Sequence, residues 1–519
     1  MIEAEVHLSL HNFLRSQAGF PSWPHHLTMA RLVARALRLG RSALIQVGAV
    51  SGYQGRYRTS FVASALMWHG PVIIVAPEAI QQSLLQVEIP RLQPWLQANK
   101  PIRIGEVWPG SDFQGLLLTS PQAWLKGQFT SADHFPPSIP TIIDGVDDLE
   151  DWVRHQLTQV IQPHDWDQLI LACPHQAEII RSAQAKLAHE LFQHPANPYH
   201  CYLISPLEID ILGDLYSHLD SVSTLPDPWK NFWQQFPPNH HNPSPSSPSA
   251  LFWATIARRQ GLFSLHYAPT ELGTTLAPIW QKQPVVLIGS ALESETEAPL
   301  FRQRLGLAQV TCLKFSNDTQ NPAIQLYLPP KLPLPNTPEF QAAFIHKVRT
   351  LVCLSATAPG LTVVLVGDVP LKAQVGAILA SEFGSRVQVE KTCLDENGIL
   401  VSGWEFWRSH QTVLPAPHLF IIATLPLPSL ENPLVAGRVA YYKRSHQDWF
   451  RLFLLPTALN ELQRAIAPVR ENHGIVALLD SRVVNRSYGA QVLAVLSPLA
   501  RINYLDPSLF SHPNDQNSD

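Results

Sequence analysis

Short apolar runs alternate with helix-like segments in the first part of the chain. Amphipathic helical patterning covers residues 1–40, and the apolar run 43–47 is followed by a glycine-containing loop, a helical stretch at 59–68 and a second apolar run at 71–76. This order is typical of a βαβ unit in a buried parallel sheet. Further strands are predicted at 116–119, 141–144, 168–172 and 284–290.

A second α/β alternation begins near residue 361, with strands predicted at 362–367, 386–390, 399–401, 418–424 and 474–479 and a helix at 371–383. Between 150 and 267 the pattern is mainly helical, and its Pro/Ser-rich segment 236–249 is expected to be an exposed loop. The predicted fold class is α/β, with two tandem parallel-sheet domains and a mainly helical insertion in the first. The expected divisions are a first domain at 1–150, the insertion at 151–267, a return to the first domain and crossover at 268–310, a second domain at 311–511 and a disordered tail at 512–519.

Composition narrows the functional classes. No apolar run approaches 18 residues, and the N-terminus has no basic segment followed by an apolar one, so neither a membrane span nor a secretory signal is expected. The five cysteines are scattered without a C-x-x-C, which argues against a disulfide framework, a zinc finger or an iron–sulfur cluster. A cytoplasmic location fits best. The net charge of −4 gives no overall basic field for nucleic acid.

The loop after the first predicted strand is a candidate phosphate site. Backbone N–H groups at such a loop can face an anion, and the glycines here permit close approach. The candidate nucleotide-binding residues are Gly52, Gly55, Arg56, Arg58 and Thr59. The loop lacks G-x-x-x-x-G-K-[ST], and Gly-Lys occurs nowhere in the chain, so an arginine would have to supply the cation and Thr59 the hydroxyl for magnesium. A glycine turn without a ligand explains the same pattern.

An acid at a strand end is the second candidate. Asp144 ends the predicted strand 141–144, where a carboxylate can hold magnesium, but Gly145 beside it offers no general base. Asp147, Asp148 and Glu150 lie one turn further on, where the helix dipole alone favours acids.

Several stretches resemble, in order, the motifs of one helicase family. They are 117–125 (LLTSPQAWL), 141–152 (TIIDGVDDLEDW), 265–272 (LHYAPTEL), 285–293 (VVLIGSALE), 305–307 (LGL), 404–407 (WEFW), 425–428 (LPLP) with 432–434 (NPL), 462–470 (LQRAIAPVR) and 474–482 (GIVALLDSR) with 488–489 (YG). The order resembles the DinG/XPD branch of superfamily 2 DNA helicases. The resemblance implies two RecA-like domains, ATP and Mg²⁺ as cofactors, single-stranded DNA as partner, 5′–3′ unwinding, DNA repair and a monomer without membrane contact.

The resemblance assigns catalytic roles to Asp144, Asp147, Gln463 and Arg470, with Asp144 as the magnesium ligand. The departures fall on the same motifs: the phosphate-loop lysine is missing, Gly145 replaces the glutamate of the DEAH box, and an expected arginine aligns with Ala467. The segment 92–115, where the family carries iron–sulfur cysteines, has none. An arginine finger alone is worth about 10³–10⁵ in rate, so these losses predict a degenerate ATPase.

Aromatic residues are the candidates for gripping a single strand. Trp124, Trp404 and Trp407 could stack on bases, with Arg408 on a phosphate, although aromatic residues beside a strand also form cores. Three hypotheses follow: a helicase-like protein with a lost ATPase that binds single-stranded DNA or acts as a scaffold, an active ATP-dependent helicase with divergent motifs, and an interaction protein without nucleotide or nucleic acid.

Overall fold

The computed structural model of the protein describes residues 2–17, 23–96, 98–130, 134–219, 225–235, 250–315, 323–356, 359–504 and 506. The predicted loop 236–249 and tail 512–519 lie outside these residues. The strands are β1 (Ala43–Gln46), β2 (Val72–Val75), β3 (Ile102–Ile104), β4 (Leu116–Thr119), β5 (Thr141–Asp144), β6 (Gln159–Ile161), β7 (Cys201–Leu203), β8 (Ala250–Ala257), β9 (Leu262–Pro269), β10 (Val285–Gly289), β11 (Thr311–Lys314), β12 (Ile324–Tyr327), β13 (Thr362–Leu365), β14 (Val387–Val389), β15 (Ile399–Ser402), β16 (Leu419–Ile422), β17 (Ile475–Leu478) and β18 (Leu499–Ile502).

The helices cover most of the connections between strands. They are α1 (Ile2–Ser16), α2 (His26–Leu39), α3 (Ala49–Gln54), α4 (Arg58–Met67), α5 (Glu78–Ser83), α6 (Ile89–Leu96), α7 (Pro121–Phe129), α8 (Leu149–Leu157), α9 (Pro163–Ala172), α10 (Ala177–Gln193), α11 (Pro206–Leu219), α12 (Asp227–Gln235), α13 (Gly273–Lys282), α14 (Pro299–Leu305), α15 (Pro338–Ser355), α16 (Val369–Phe383), α17 (Trp404–His410), α18 (Pro433–Arg444), α19 (Leu455–Ala465), α20 (Ala467–Glu471), α21 (Arg482–Asn485) and α22 (Gly489–Val495). Among the described residues, every helix is too short or too polar to cross a bilayer.

The first lobe is built on a parallel sheet whose described strands run in the order β11-β1-β10-β5-β2-β4-β3. Successive residues of a strand face opposite sides, so Leu44 packs under α13 while Ile45 packs under α2 and α4. Because helices cover both faces, each central strand reads as a continuous apolar run. This explains why the sequence pattern located these strands.

The insertion is rich in helix, as predicted, but it also contains strands that the sequence pattern did not reveal. Helices α9–α12 pack on an antiparallel sheet in the order β6-β9-β8-β7. The predicted strand at 168–172 is wrong because this segment ends helix α9. That helix begins at Pro163, and Gln162 and Asp165 form a capping box at its start.

The second lobe repeats the parallel architecture, with its described strands in the order β14-β15-β13-β16-β17-β12-β18. Helices α15 and α16 cover one face and helices α17, α19 and α22 the other. All of the strands predicted from residue 361 onward are present. The predicted fold class, two parallel-sheet α/β domains, is confirmed. The short helix α3 of the first lobe contacts α19 and α20 of the second, so residues after β1 lie at the junction between the lobes.

Candidate nucleotide site

The loop after β1 folds as a helix instead of an open phosphate cradle. Gly48 has a φ of 87° and precedes α3, and Gly55, with a φ of 67°, ends that helix. The N–H of Gly52 donates to the carbonyl of Gly48, and the N–H of Gly55 donates to the carbonyl of Ser51, both at 2.9 Å. The backbone N–H groups of Gly52 and Gly55 are therefore used inside the chain.

Both carboxylate oxygens of Asp144 accept hydrogen bonds from the start of α4. The Tyr57 hydroxyl donates to Oδ1 at 2.5 Å, and Nε of Arg58 donates to Oδ2 at 2.9 Å. The Asp144 side chain is only 1% exposed and that of Arg58 17%. The acid predicted to bind magnesium thus lies in a buried, hydrogen-bonded ion pair.

Burial and the negative charge of Asp144 together set the pKa values of Arg58 and Tyr57. Burial lowers the pKa of Arg58, but the negative charge of Asp144 outweighs it, and the net pKa is raised. Burial, and then the Asp144 charge, raise the pKa of Tyr57 well above its usual value. Arg58 therefore stays cationic, and Tyr57 keeps the proton that it donates to Asp144.

The other predicted nucleotide-binding residues have partners elsewhere. The Thr59 hydroxyl donates to Oε2 of Glu88 at 3.1 Å. Arg56 reaches Oε1 of Glu471 in the second lobe at 3.4 Å. Gly52 packs against Ser290, since a Cβ added at Gly52 would lie 2.2 Å from the Ser290 Cβ. Thr59, Arg56 and Gly52 therefore make their contacts away from Asp144.

Asp147 holds the loop after β10. Its carboxylate accepts from the backbone N–H and hydroxyl of Ser290 at 2.7 and 2.8 Å and from the N–H of Ala291 at 2.9 Å. The parallel register of β5 with β10 places Asp144 beside Ile288, which brings Ser290 within reach of Asp147. These three hydrogen bonds make Asp147 an anchor for the loop after β10.

Ion pairs and hydrogen bonds join the two lobes beside α3. Nη1 and Nη2 of Arg464, on α19, contact the two carboxylate oxygens of Asp148 at 2.7 and 3.2 Å. Nε2 of Gln54 donates to Oε1 of Glu471 at 3.0 Å, and the Tyr53 hydroxyl donates to the carbonyl of Gln411 at 3.4 Å. These contacts connect the two lobes directly.

Gln463 and Arg470, predicted to be catalytic, lie in the second lobe on the wall of a cavity between the lobes. Arg470 is only 4% exposed, and its guanidinium donates to the carbonyls of Leu496, Ser497 and Pro498. Burial lowers its pKa to about 10. Arg470 therefore ties α20 to the segment before β18.

Two of the predicted base-stacking residues are corrected by their burial. Trp124 is fully buried in the first lobe, and Trp407 is 1% exposed and donates its indole N–H to the Ala465 carbonyl at 3.0 Å. A base cannot stack on a ring that the core covers. Trp404 is partly exposed on α17, and Arg408 on the same helix reaches Oε2 of Glu461 at 3.5 Å. These two remain candidates for contact with a strand.

The donor set around Asp144 does not fit magnesium-bound ATP. A magnesium ion would have to displace Tyr57 and Arg58 from the Asp144 carboxylate, and the compact ammonium group of a phosphate-loop lysine is missing. Among the described residues, no group of three or more His, Cys, Asp or Glu side chains is placed to hold a metal ion.

The sequence analysis did not assign a role to two residues of this region, Tyr57 and Arg464. Tyr57 lies between the two arginines considered as cations, and Arg464 directly follows Gln463. Their neighbours in sequence, Arg56, Arg58 and Gln463, were predicted to belong to the site. Only the fold shows that Tyr57 and Arg464 bind Asp144 and Asp148.

The two parallel-sheet lobes have a fold similar to that of solved helicase structures. The structure of S. tokodaii Xpd4 is similar with a TM-score of 0.59 at 12% identity, covering 93% of this chain and 100% of that one. An XPD helicase structure is similar with a TM-score of 0.58 at 11% identity, again covering 93% and 100%. At these identities the likeness concerns the fold.

Comparison of sequences also finds similarity to helicases. A family model described as the Helicase C-terminal domain matches residues 405–499. The ATP-dependent DNA helicase YoaA of Escherichia coli (strain K12) is 22% identical over 270 residues, and the YoaA of Haemophilus influenzae is 24% identical over 270 residues. Each alignment covers 49% of this chain and 42% of the relative, so the chain matches less than half the length of these curated relatives. The resemblance to DinG/XPD-like superfamily 2 helicases is confirmed.

Proposed function

We propose that this chain is a DinG/XPD-like helicase-family protein that has lost ATP hydrolysis and acts by binding single-stranded DNA. The observation that carries the proposal is the buried contact of Asp144 with Tyr57 and Arg58. In a working site this carboxylate would hold the metal that neutralises the phosphates. Here an internal guanidinium takes the place of that cation.

The helix α3 supports the same conclusion. The N–H groups of Gly52 and Gly55 are paired within the chain, and Gly52 packs directly against Ser290. Its side chains also reach the second lobe through Gln54 and Glu471. Helix α3 therefore contacts the second lobe directly, through protein atoms.

Binding of single-stranded DNA is supported by the relatives and by what the cleft retains. The curated relatives are DNA helicases by name, and two lobes in tandem offer a cleft for a strand. Trp404 and Arg408 supply a partly exposed ring and an exposed cation on α17. With a net charge of −4, such binding depends on local contacts and weakens as salt is added.

Two assays on the full chain test the proposal. ATP hydrolysis with Mg²⁺ is measured with and without single-stranded DNA beside an Asp144→Asn variant, and fluorescence anisotropy follows a labelled single strand at low and high salt. We expect no turnover above the variant and strand binding that Mg²⁺-ATP leaves unchanged. Trp404→Ala should weaken binding about 5- to 150-fold, since stacking contributes about 1–3 kcal/mol per base.

Matched controls separate the outcomes. Trp95, 43% exposed on α6, is the control tryptophan, and Trp95→Ala should leave strand binding unchanged. Strand-stimulated turnover that disappears in Asp144→Asn would instead establish an active helicase with divergent motifs. Failure to bind a single strand at low salt would favour a scaffold that works without nucleic acid.

A further inference from the structure

The insertion contacts the second lobe through the outer face of its antiparallel sheet. Alternate residues of a strand face opposite sides, and Tyr202 and Ala254 lie in the core that the sheet shares with helices α9–α12. Leu203 and Leu251 point to the other side of the sheet. Helix α18 of the second lobe lies on that side and contacts both β7 and β8. The second lobe therefore covers part of the face that the insertion does not use for its own core.

Gly437 permits the close approach of α18 to this sheet. It is buried within the helix, where glycine is less favourable than alanine unless close packing requires it. A Cβ added at Gly437 would lie 2.6 Å from Cδ2 of Leu251 and 3.4 Å from Cδ2 of Leu203. Any larger residue would have to move Leu251 or lift the helix from the sheet. Gly437 thus marks a direct packing contact between the insertion and the second lobe.

A charge network lies beside this contact and also joins the lobes. Glu150, on α8 of the first lobe, accepts from Nη2 of Arg154 at 2.8 Å and lies 3.5 Å from Nη1 of Arg304. Arg304 in turn donates to the carbonyl of Leu452 in the second lobe. The negative charge of Glu150 also attracts Arg438, which follows Gly437 on α18. These interactions hold α18 against α8, next to the point where the insertion leaves the first lobe.

The end of β9, where the chain returns from the insertion, is held by both lobes. Nη1 of Arg154 donates to the carbonyls of Pro269 and Thr270 at 3.2 and 3.1 Å. The hydroxyl of Tyr441, on α18, donates to Oε1 of Glu271, the next residue. The base of the insertion is therefore bonded to α8 on one side and to α18 on the other.

We propose that the insertion is a strap between the lobes, which extends from α8 of the first lobe, packs on α18 of the second and holds the two lobes at a fixed separation. The lobes also meet where α3 contacts α19 and α20. Two domains joined at one contact region can swing about it as a hinge, whereas a second attachment removes that freedom. The inference goes beyond the proposed function, because it concerns movement of the lobes and holds whether or not a strand binds.

Hydrogen–deuterium exchange of the full chain tests the strap with the variant Gly437→Leu. We expect amides of α18 and also of β7 and β8 to exchange about 5- to 150-fold faster, because overpacking at the contact raises the population of the opened state. Gly376→Leu on α16 is the matched control, since a Cβ there would lie 2.7 Å from Cγ2 of Val389 within the second lobe. The control should accelerate exchange in α16 and β14 and leave β7 and β8 unchanged.

A second variant approaches the contact from the insertion and decides the matter if Gly437→Leu unfolds the second lobe. Leu203→Ser removes an apolar contact without adding bulk, and it should speed exchange in α18 about 5-fold or more. Leu171→Ser, at a position 80% exposed on α9, is its control and should leave α18 unchanged.

Three results would overturn the inference. The first is a folded Gly437→Leu variant in which exchange of β7 and β8 is unchanged. The second is a Leu203→Ser variant in which exchange of α18 is unchanged. The third is equal acceleration of β7 and β8 in Gly376→Leu and Gly437→Leu, which would assign the effect to a general loss of stability.

Discussion

Replacing Arg58 with methionine probes the ion pair on which the account rests. The variant leaves the Asp144 carboxylate, 1% exposed, with Tyr57 as its remaining donor. Removing one partner of a buried pair costs about 3–5 kcal/mol, because the other charge is left buried and uncompensated. For a domain of this size each kcal/mol shifts the melting temperature by about 2–4 °C, so we expect the first-lobe transition to fall by about 6–20 °C.

A double-mutant cycle followed by scanning calorimetry isolates the contribution of the pair. Asp144→Asn alone should also destabilise, because Arg58 then keeps a buried charge without a counter-ion. The double variant Arg58→Met/Asp144→Asn should recover much of the loss, giving a coupling energy typical of contacting residues. Arg56→Met is the control, since Arg56 and Glu471 are each 36% exposed and such pairs contribute little.

The outcome that refutes this reasoning is specific. A carboxylate kept free for a metal is strained in the absence of that metal, so its neutralisation leaves stability unchanged or raises it. If Asp144→Asn melts at or above the temperature of the unsubstituted protein, Asp144 does not act as the partner of Arg58 and the account fails.

Three further predictions concern stability. Gly52→Ala should destabilise by about 1–3 kcal/mol in urea unfolding, because the new methyl group overlaps Ser290; an unchanged midpoint would contradict the close packing of α3. Trp407→Ala should cost about 3–5 kcal/mol by the same measurement, and a near-neutral result would place this ring outside the core. Burial lowers the pKa of His26 from 6.5 to about 4, so the unfolded chain binds the extra proton below pH 6.5 and stability falls as the pH drops from 6.5 towards 4. Melting curves at pH 7 and 5 should show a smaller loss in His26→Gln, and an equal loss would assign the effect to other groups.

The parallel sheets could be predicted from the sequence because their strands are buried on both faces. Runs such as β2 and β16 are apolar at every position, which few other structures require. The insertion was harder, since strands β8 and β9 pair as an antiparallel hairpin with a partly exposed face. The alternation in β9, where Phe263, Leu265 and Tyr267 are buried between more exposed neighbours, and the turn at Gly261 were the signals that could have revealed the hairpin.

The candidate site was only partly predictable. Asp144 could be placed at a strand end because β5 ends there, and Arg58 could be named as a possible cation. The contact between them joins residues 86 positions apart and depends on α3 turning the chain so that α4 begins beside β5. Likewise, Trp404 and Trp407 lie in the same short helix, but the Trp407 ring is buried in the core while the Trp404 ring is partly exposed. Tertiary packing, which the local pattern does not encode, decided each case.

The most direct test of the central claim measures whether a divalent metal reaches Asp144. Electron paramagnetic resonance of Mn²⁺, added with a non-hydrolysable ATP analogue to the full chain, reports metal held by the protein. The account predicts the same spectrum for the unsubstituted protein and for Asp144→Asn, because Tyr57 and Arg58 occupy the carboxylate. A bound-metal signal that is present in the unsubstituted protein and lost in Asp144→Asn would contradict it.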